Sequence, residues 1–110
     1  MVERVGVLDA TYGALAHQVR RAMLERLRTE ELRVTDLAAS FDISLAATSK
    51  HIRVLEDTKL VRRTVVGREH HLSLDAAALA PAVAWLETYR AFWEPRLDAL
   101  ERHLREGKRR

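Results

Sequence analysis

The sequence predicts a mainly α-helical protein with one small β-hairpin, a winged helix-turn-helix that dimerises through its terminal helices. Three observations predict it. Between Val34 and Leu55, apolar residues recur at helical spacing in two short stretches, interrupted at Phe41-Asp42-Ile43. The segment that follows, LVRRTVVGREHHLSL (Leu60 to Leu74), alternates apolar and polar residues about Gly67-Arg68, the period of a hairpin strand and not of a helix. Beyond Asp75, Leu86, Trp93, Leu97, Leu100 and Leu104 recur at heptad-like intervals, with Val83 one turn earlier. Such a seam requires a partner helix.

Each element has a local cause. Asp9 to Ala16 forms a short first helix. Gln18 to Arg28 forms a second, burying Val19, Met23 and Leu27 beside Ala22. In the third, Val34, Leu37, Ala38 and Phe41 fall at i, i+3, i+4 and i+7. Ser44 is an N-cap, its hydroxyl free to accept from an orphan backbone N–H, so the fourth helix starts there and runs to Thr58. Thr48, Ile52 and Leu55 make its packed face, whereas Ala46, Ser49, Lys50 and Arg53 share the opposite one. Gly67 turns the hairpin, placing Val61 and Val65 on one face and Arg62 and Thr64 on the other. After Asp75 the chain is expected to be helical to about Arg105, with a bend at Pro95, which lacks a backbone donor. Trp85, Tyr89, Phe92 and Trp93 gather on this helix and are read as dimer core. A single domain over residues 1–110 is expected, with 76–106 as its dimerisation helix.

Charge placement bears on function. The 110-residue chain has a net charge of +3. Residues 44–74 hold six basic residues (Lys50, Arg53, Lys59, Arg62, Arg63, Arg68) against three acidic ones (Glu56, Asp57, Glu69). The whole excess therefore sits on the fourth helix and the hairpin, as on a nucleic-acid-binding face. A helix fits the major groove of B-DNA with its first residues at the base edges, so the polar stripe of the fourth helix is expected to face DNA. There is no cysteine, which excludes disulfides, thiolate metal sites and cysteine nucleophiles. No stretch reaches the roughly 18 apolar residues of a membrane span, and MVERVGVLDATYG lacks a signal-peptide run; no membrane partner and a cytoplasmic location are expected. Phosphate loops, nucleophile elbows and H-E-x-x-H are absent, so no enzyme and no cofactor are expected.

The segments VTDLAASFDISLAATSKHIRVLEDTKLVRR and VVGREHHLSL resemble the ArsR/SmtB-type regulators, whose lines carry V-x-E-L-A, S-x-H-L-x-x-L and a wing with G-R. LAHQVRRAMLERL resembles that family's L-A-D-P-T-R helix. YRAFWEPRLDALERHL resembles the C-terminal helix of a cysteine-poor branch ending in Y-R-x-F-W-x-x-R-L-D. The resemblance implies a homodimeric, DNA-binding transcriptional regulator, a repressor on a partly palindromic operator. It places base reading on Leu45, Ala46, Ser49 and Lys50, with Ser44 and His51 alongside. Phosphate contact falls to Arg53, Arg62 and Arg63, and Arg68 stands at the wing tip. The dimer interface falls on Val83, Leu86, Tyr89, Trp93, Leu97, Leu100 and Leu104.

Several departures from the family pattern stand out. Leu45 and Ala46 replace residues that are often glutamine and serine, which favours an alternative: a winged-helix protein-interaction module that has lost specific DNA reading. Lys59 replaces the glycine that usually ends the fourth helix, a cost of about 1 kcal/mol if the left-handed conformation is kept. His17-Gln18-Val19 replaces D-P-T, a changed helix cap. His70 and His71 point to opposite faces of a strand. His103 and Glu106 are one turn apart, but Arg90 and Phe92 stand where the zinc-type site needs an Asp-x-His pair. No metal is expected, and no small-molecule effector is assigned.

Overall fold

Where local periodicity is strong, the helices lie close to their expected places. The computed structural model describes the backbone of residues 2–108 and the side chains of residues 6–107; Met1, Arg109 and Arg110 of the expected 1–110 domain lie outside the described residues. The order is α1 (Val2–Leu15), α2 (Gln18–Leu27), β1 (Leu32–Arg33), α3 (Val34–Ala39), α4 (Leu45–Asp57), β2 (Val61–Val66), β3 (Glu69–Leu74), a 3-10 turn (Ala76–Leu79), α5 (Ala80–Glu87) and α6 (Arg90–Lys108). The antiparallel sheet has the order β1-β3-β2. Val61 pairs with Leu74 and Val66 with Glu69, so the hairpin turns at Gly67 and Arg68 as expected. Gly67 has φ 64°, the left-handed first position of a two-residue turn that glycine adopts without steric cost.

One core joins α2, α3, α4 and the sheet. Met23 and Leu27 of α2, Leu37 of α3 and Ile52 and Leu55 of α4 are buried with Leu60, Val61, Leu72 and Ala14. On the hairpin Val61 and Val65 share a face, but Val65 is 56% exposed. The distal half of the wing therefore stands clear of the body.

Four expectations require correction. α1 begins at Val2, not Asp9; its first half has no marked apolar face, and packing against α5 holds it, with the Tyr12 hydroxyl donating to the carbonyl of Ala82 at 2.9 Å. β1 (Leu32–Arg33) is an element that the sequence does not predict, because two residues carry no visible alternation. α3 ends at Ala39, short of Phe41. The expected continuous helix from Asp75 to Arg105 is a 3-10 turn and two α-helices, with its break at Thr88–Tyr89 instead of Pro95. There the Thr88 hydroxyl donates to the carbonyl of Trp85 at 2.7 Å, and the amides of Thr88 and Tyr89 turn back to Trp85 and Leu86. A threonine hydroxyl competing for helical carbonyls favours such an interruption. Pro95 lies inside α6.

The end of α4 bears out the reading of Lys59. Its φ is 66°. The amide of Leu60 donates to the carbonyl of Leu55 at 3.1 Å, and that of Lys59 to Glu56 at 3.0 Å, the paired bonds of a Schellman ending. Leu60, fully buried with Leu55, anchors the reversal. Lys59→Gly should therefore stabilise the fold by about 1 kcal/mol, read as a rise in thermal midpoint. An unchanged or lowered midpoint would contradict this.

Candidate nucleic-acid interface

α4 presents its two faces as its sequence requires. Ser44 has extended backbone geometry (φ −63°, ψ 155°), and its Oγ accepts from the amide of Ala47 at 3.1 Å. The Thr48 hydroxyl donates back to the carbonyl of Ser44 at 3.0 Å. These bonds satisfy orphan groups of the first turn and fix where the helix begins. Thr48, Ile52 and Leu55 are buried. Opposite them, Leu45, Ala46, Ser49, Lys50 and Arg53 are exposed. Ser44 is exposed too, with its hydroxyl committed to the cap.

The basic residues fall into two sets. Among the described residues, Lys50, Arg53 and Arg68 have no acidic partner within ion-pair distance. They are solvated cations on α4 and at the wing turn. Arg62 meets Asp75 at 2.9 Å, with its side chain still largely exposed. Arg63 is more enclosed. Its Nε and Nη2 donate to both carboxylate oxygens of Glu56, at 3.1 and 2.8 Å, and Nη1 lies 3.1 Å from Nδ1 of His70. Arg33, Arg63 and Arg68 line one cleft of about 340 Å³ between the start of α3 and the wing.

His51 faces inward from α4. Its Nδ1 lies 3.2 Å from an Arg20 guanidinium nitrogen, and its ring is 4.4 Å from that of His17. Arg20 also donates to the carbonyls of Ala14 and Gly13, at 2.8 and 2.9 Å. His17 caps α2, accepting from the amide of Val19, as the altered D-P-T position leads one to expect. His51 therefore ties α4 to the α1–α2 junction. Burial, then the positive neighbours His17, Arg20 and Lys50, push its pKa below the ordinary imidazole value. In the unfolded chain the ring takes up a proton near pH 6.5, while in the fold it resists. Stability from this group is thus complete above that value, falls as pH drops through it, and levels off below the folded pKa. Thermal midpoints taken from about pH 8 to about pH 5 should decline less for His51→Gln than for the parent; parallel profiles would contradict this.

The residues expected to form the seam are exposed, on α5, at the break and on α6. Val83, Leu86, Tyr89, Trp93, Leu97, Leu100 and Leu104 are each between 44 and 58% exposed. Trp85, 45% exposed, also lies edge-on to Tyr12 of its own chain, with ring centroids 6.0 Å apart. Beside it, α1 and α5 enclose a cleft of about 640 Å³ lined by Val7, Leu8, Ala80, Pro81, Ala84, Trp85 and Thr88. Among the described residues no helix is long and apolar enough to cross a membrane, and no three histidine or acidic side chains are grouped to hold a metal ion. His70 meets Arg63, whereas His71 meets Glu69 at 3.0 Å, so the two diverge as their strand positions require. Sequence reasoning missed Arg20 and Glu56. Arg20 acts through His51, 31 residues away, and Glu56 through Arg63, seven residues on but in a different element, so no helical or strand period signals either.

Comparison with known proteins places this geometry. A helix-turn-helix domain family matches residues 15–64, from the end of α1 into β2. The HTH-type transcriptional regulator Rv2034 of Mycobacterium tuberculosis is 38% identical over 72 residues, 66% of this chain and 67% of that protein. A transcriptional repressor SmtB homolog of Synechocystis is 38% identical over 63 residues, 57% of this chain and 48% of that protein. A crystal structure of an ArsR family transcriptional regulator superposes with a TM-score of 0.72 at 32% identity, covering 86% of this chain and 94% of the other.

Proposed function

Since the chain belongs to the ArsR family of transcriptional regulators, we propose that it is a homodimeric, DNA-binding repressor of a partly palindromic operator, acting in the cytoplasm. The observation that carries the DNA reading is the set of unpaired cations Lys50, Arg53 and Arg68, on the exposed face of α4 and at the turn of the adjoining wing. Lys50 and Ser49 lie where a recognition helix meets base edges; Arg53 suits a phosphate, and Arg68 the backbone or a narrow minor groove. Leu45 and Ala46 offer apolar contact to thymine methyls. Arg62 and Arg63 serve the backbone only by sharing or leaving Asp75 and Glu56. His51 contributes by holding α4, and Ser44 by capping it.

The exposed seam supports the dimer. Two chains joined along α5 and α6 present two α4 helices, and a symmetric pair reads half-sites about one helical turn, roughly 34 Å, apart. Repression then follows from occupancy of promoter DNA, and the SmtB homolog is a repressor by name. The family supports a regulator and not an enzyme.

The test is a mobility-shift titration with DNA from upstream of the protein's own gene. Arg53 and Arg68, taken twice, neutralise at least four phosphates. The slope of log affinity on log salt should be about −4 or steeper, and the rise from about 50 to about 200 mM salt should weaken binding a hundredfold or more. Leu45, 70% exposed in the first turn of α4, favours a second reading, the protein-interaction module. A duplex left unbound even at low salt would decide for it.

A further inference from the structure

We propose that Glu56 and Arg63 act together as positioning residues that lock the wing to α4 and so set where Arg68 meets DNA. The inference rests on the DNA-binding reading above and adds to it a specific role for an acidic residue.

The wing needs such a lock. From Thr64 to His70 the wing is exposed, Val65 and Val66 included, at 56 and 61%. Beyond His71, where pairing with β1 ends, the wing is a two-stranded ribbon that covers no core, and such a ribbon is marginal by itself. Leu72, paired with Arg63, is the last buried residue of the hairpin; beyond that pair, packing does not determine the angle at which the wing tip leaves the body.

The fork does. Arg63 lies on β2 and Glu56 in the last turn of α4. The two parallel N–H···O bonds between them form the planar, bidentate pairing that fixes orientation as well as distance. The third guanidinium nitrogen reaches Nδ1 of His70 on β3. An arginine can only donate, so this ring nitrogen accepts. Three elements, the recognition helix and both wing strands, thus converge on one guanidinium. Both partners of the ion pair are about two-thirds covered, unlike Arg62, whose pair with Asp75 is open to water on the arginine side. Among the described residues this is the one side-chain hydrogen-bonded link from α4 to the hairpin. Arg33 holds the hairpin from its other edge, at 3.4 Å from Glu69. That pair is about half-exposed on both sides and so weaker.

The sign of one substitution separates this role from plain electrostatics. Removing a carboxylate from a protein that binds a polyanion strengthens binding if charge alone matters, and frees Arg63 for a phosphate. Loss of the lock weakens binding instead. The experiment compares the full-length protein with Glu56→Gln, Arg63→Lys and Arg68→Ala, and with Glu56→Gln in the Arg68→Ala background. It measures anisotropy with a labelled duplex of the protein's own upstream DNA, and hydrogen exchange of the wing amides without DNA. Glu56→Gln and Arg63→Lys, the latter keeping charge but losing the fork, should each weaken binding about fivefold and speed wing exchange by a similar factor. In the Arg68→Ala background the loss from Glu56→Gln should disappear. Tighter or unchanged binding by Glu56→Gln overturns the proposal, as does unchanged wing exchange. A wild-type protein that ignores the duplex refutes the DNA reading alone, because exchange in the free protein still decides the lock.

Discussion

Replacing Leu97 and Leu100 together with glutamate should turn the dimer into a folded monomer and weaken operator binding about a thousandfold. The two residues are about half-exposed on α6 and take no part in the core of α2, α3, α4 and the sheet, so the winged-helix body does not need them. In a dimer they lie at the centre of the seam, where a pair of opposed carboxylates is buried without partners, a placement that strongly destabilises an interface. The thousandfold figure comes from linkage. Once one half-site is held, the second α4 binds at an effective concentration set by its tether, and avidity of this kind reaches 10²- to 10⁴-fold over a single site. Sedimentation measures the first effect and a mobility shift the second. Circular dichroism should show some helix lost as well, because a 19-residue helix such as α6 is marginal in water without a partner. A double variant that remains a dimer would move the interface away from α6.

Lys50→Ala and Arg68→Ala should both weaken binding, but in different ways. Lys50 lies in the second turn of α4, on the same face as Ser49, and a side chain there that reaches a guanine edge is worth about 1 to 3 kcal/mol of discrimination. Its loss should lower operator affinity roughly 5- to 150-fold while leaving random-sequence binding much less affected, so specificity relaxes. Arg68 is at the wing turn. If it meets the backbone, its loss weakens every duplex alike and makes the salt slope shallower by about 0.9 for each wing, or about 1.8 for the dimer. Titrations of both variants against operator and random duplexes at several salt concentrations distinguish these profiles. Identical profiles would overturn the division of roles.

The parts of the fold visible in the sequence are those determined by neighbours in the chain. Ser44 and the Thr48, Ile52, Leu55 stripe placed α4 because capping and helical period act over a few residues. Gly67 located the hairpin turn for the same reason. Lys59 was legible as a left-handed residue through the resemblance, which marked the position as a glycine. The two-residue β1 was not, since its pairing of Leu32 with Leu72 is specified by the sheet and not by its own pattern. The break at Thr88–Tyr89 escaped because proline is the more visible helix breaker, whereas a threonine bonding back to Trp85 leaves no trace in periodicity. The exposed face of α4, Leu45, Ala46, Ser49, Lys50 and Arg53, was legible from helical spacing. Which cations are free and which are tied was not. Arg53 and Arg63 look alike in sequence, and only the fold brings Glu56 to one of them and leaves the other to solvent.

Analytical ultracentrifugation of the protein with a labelled duplex of its own upstream DNA, in about 50 mM salt, tests the central claim most directly. A dimer offering two recognition helices to successive grooves predicts two protein chains on each duplex. One chain per duplex, or DNA that sediments alone, would contradict it.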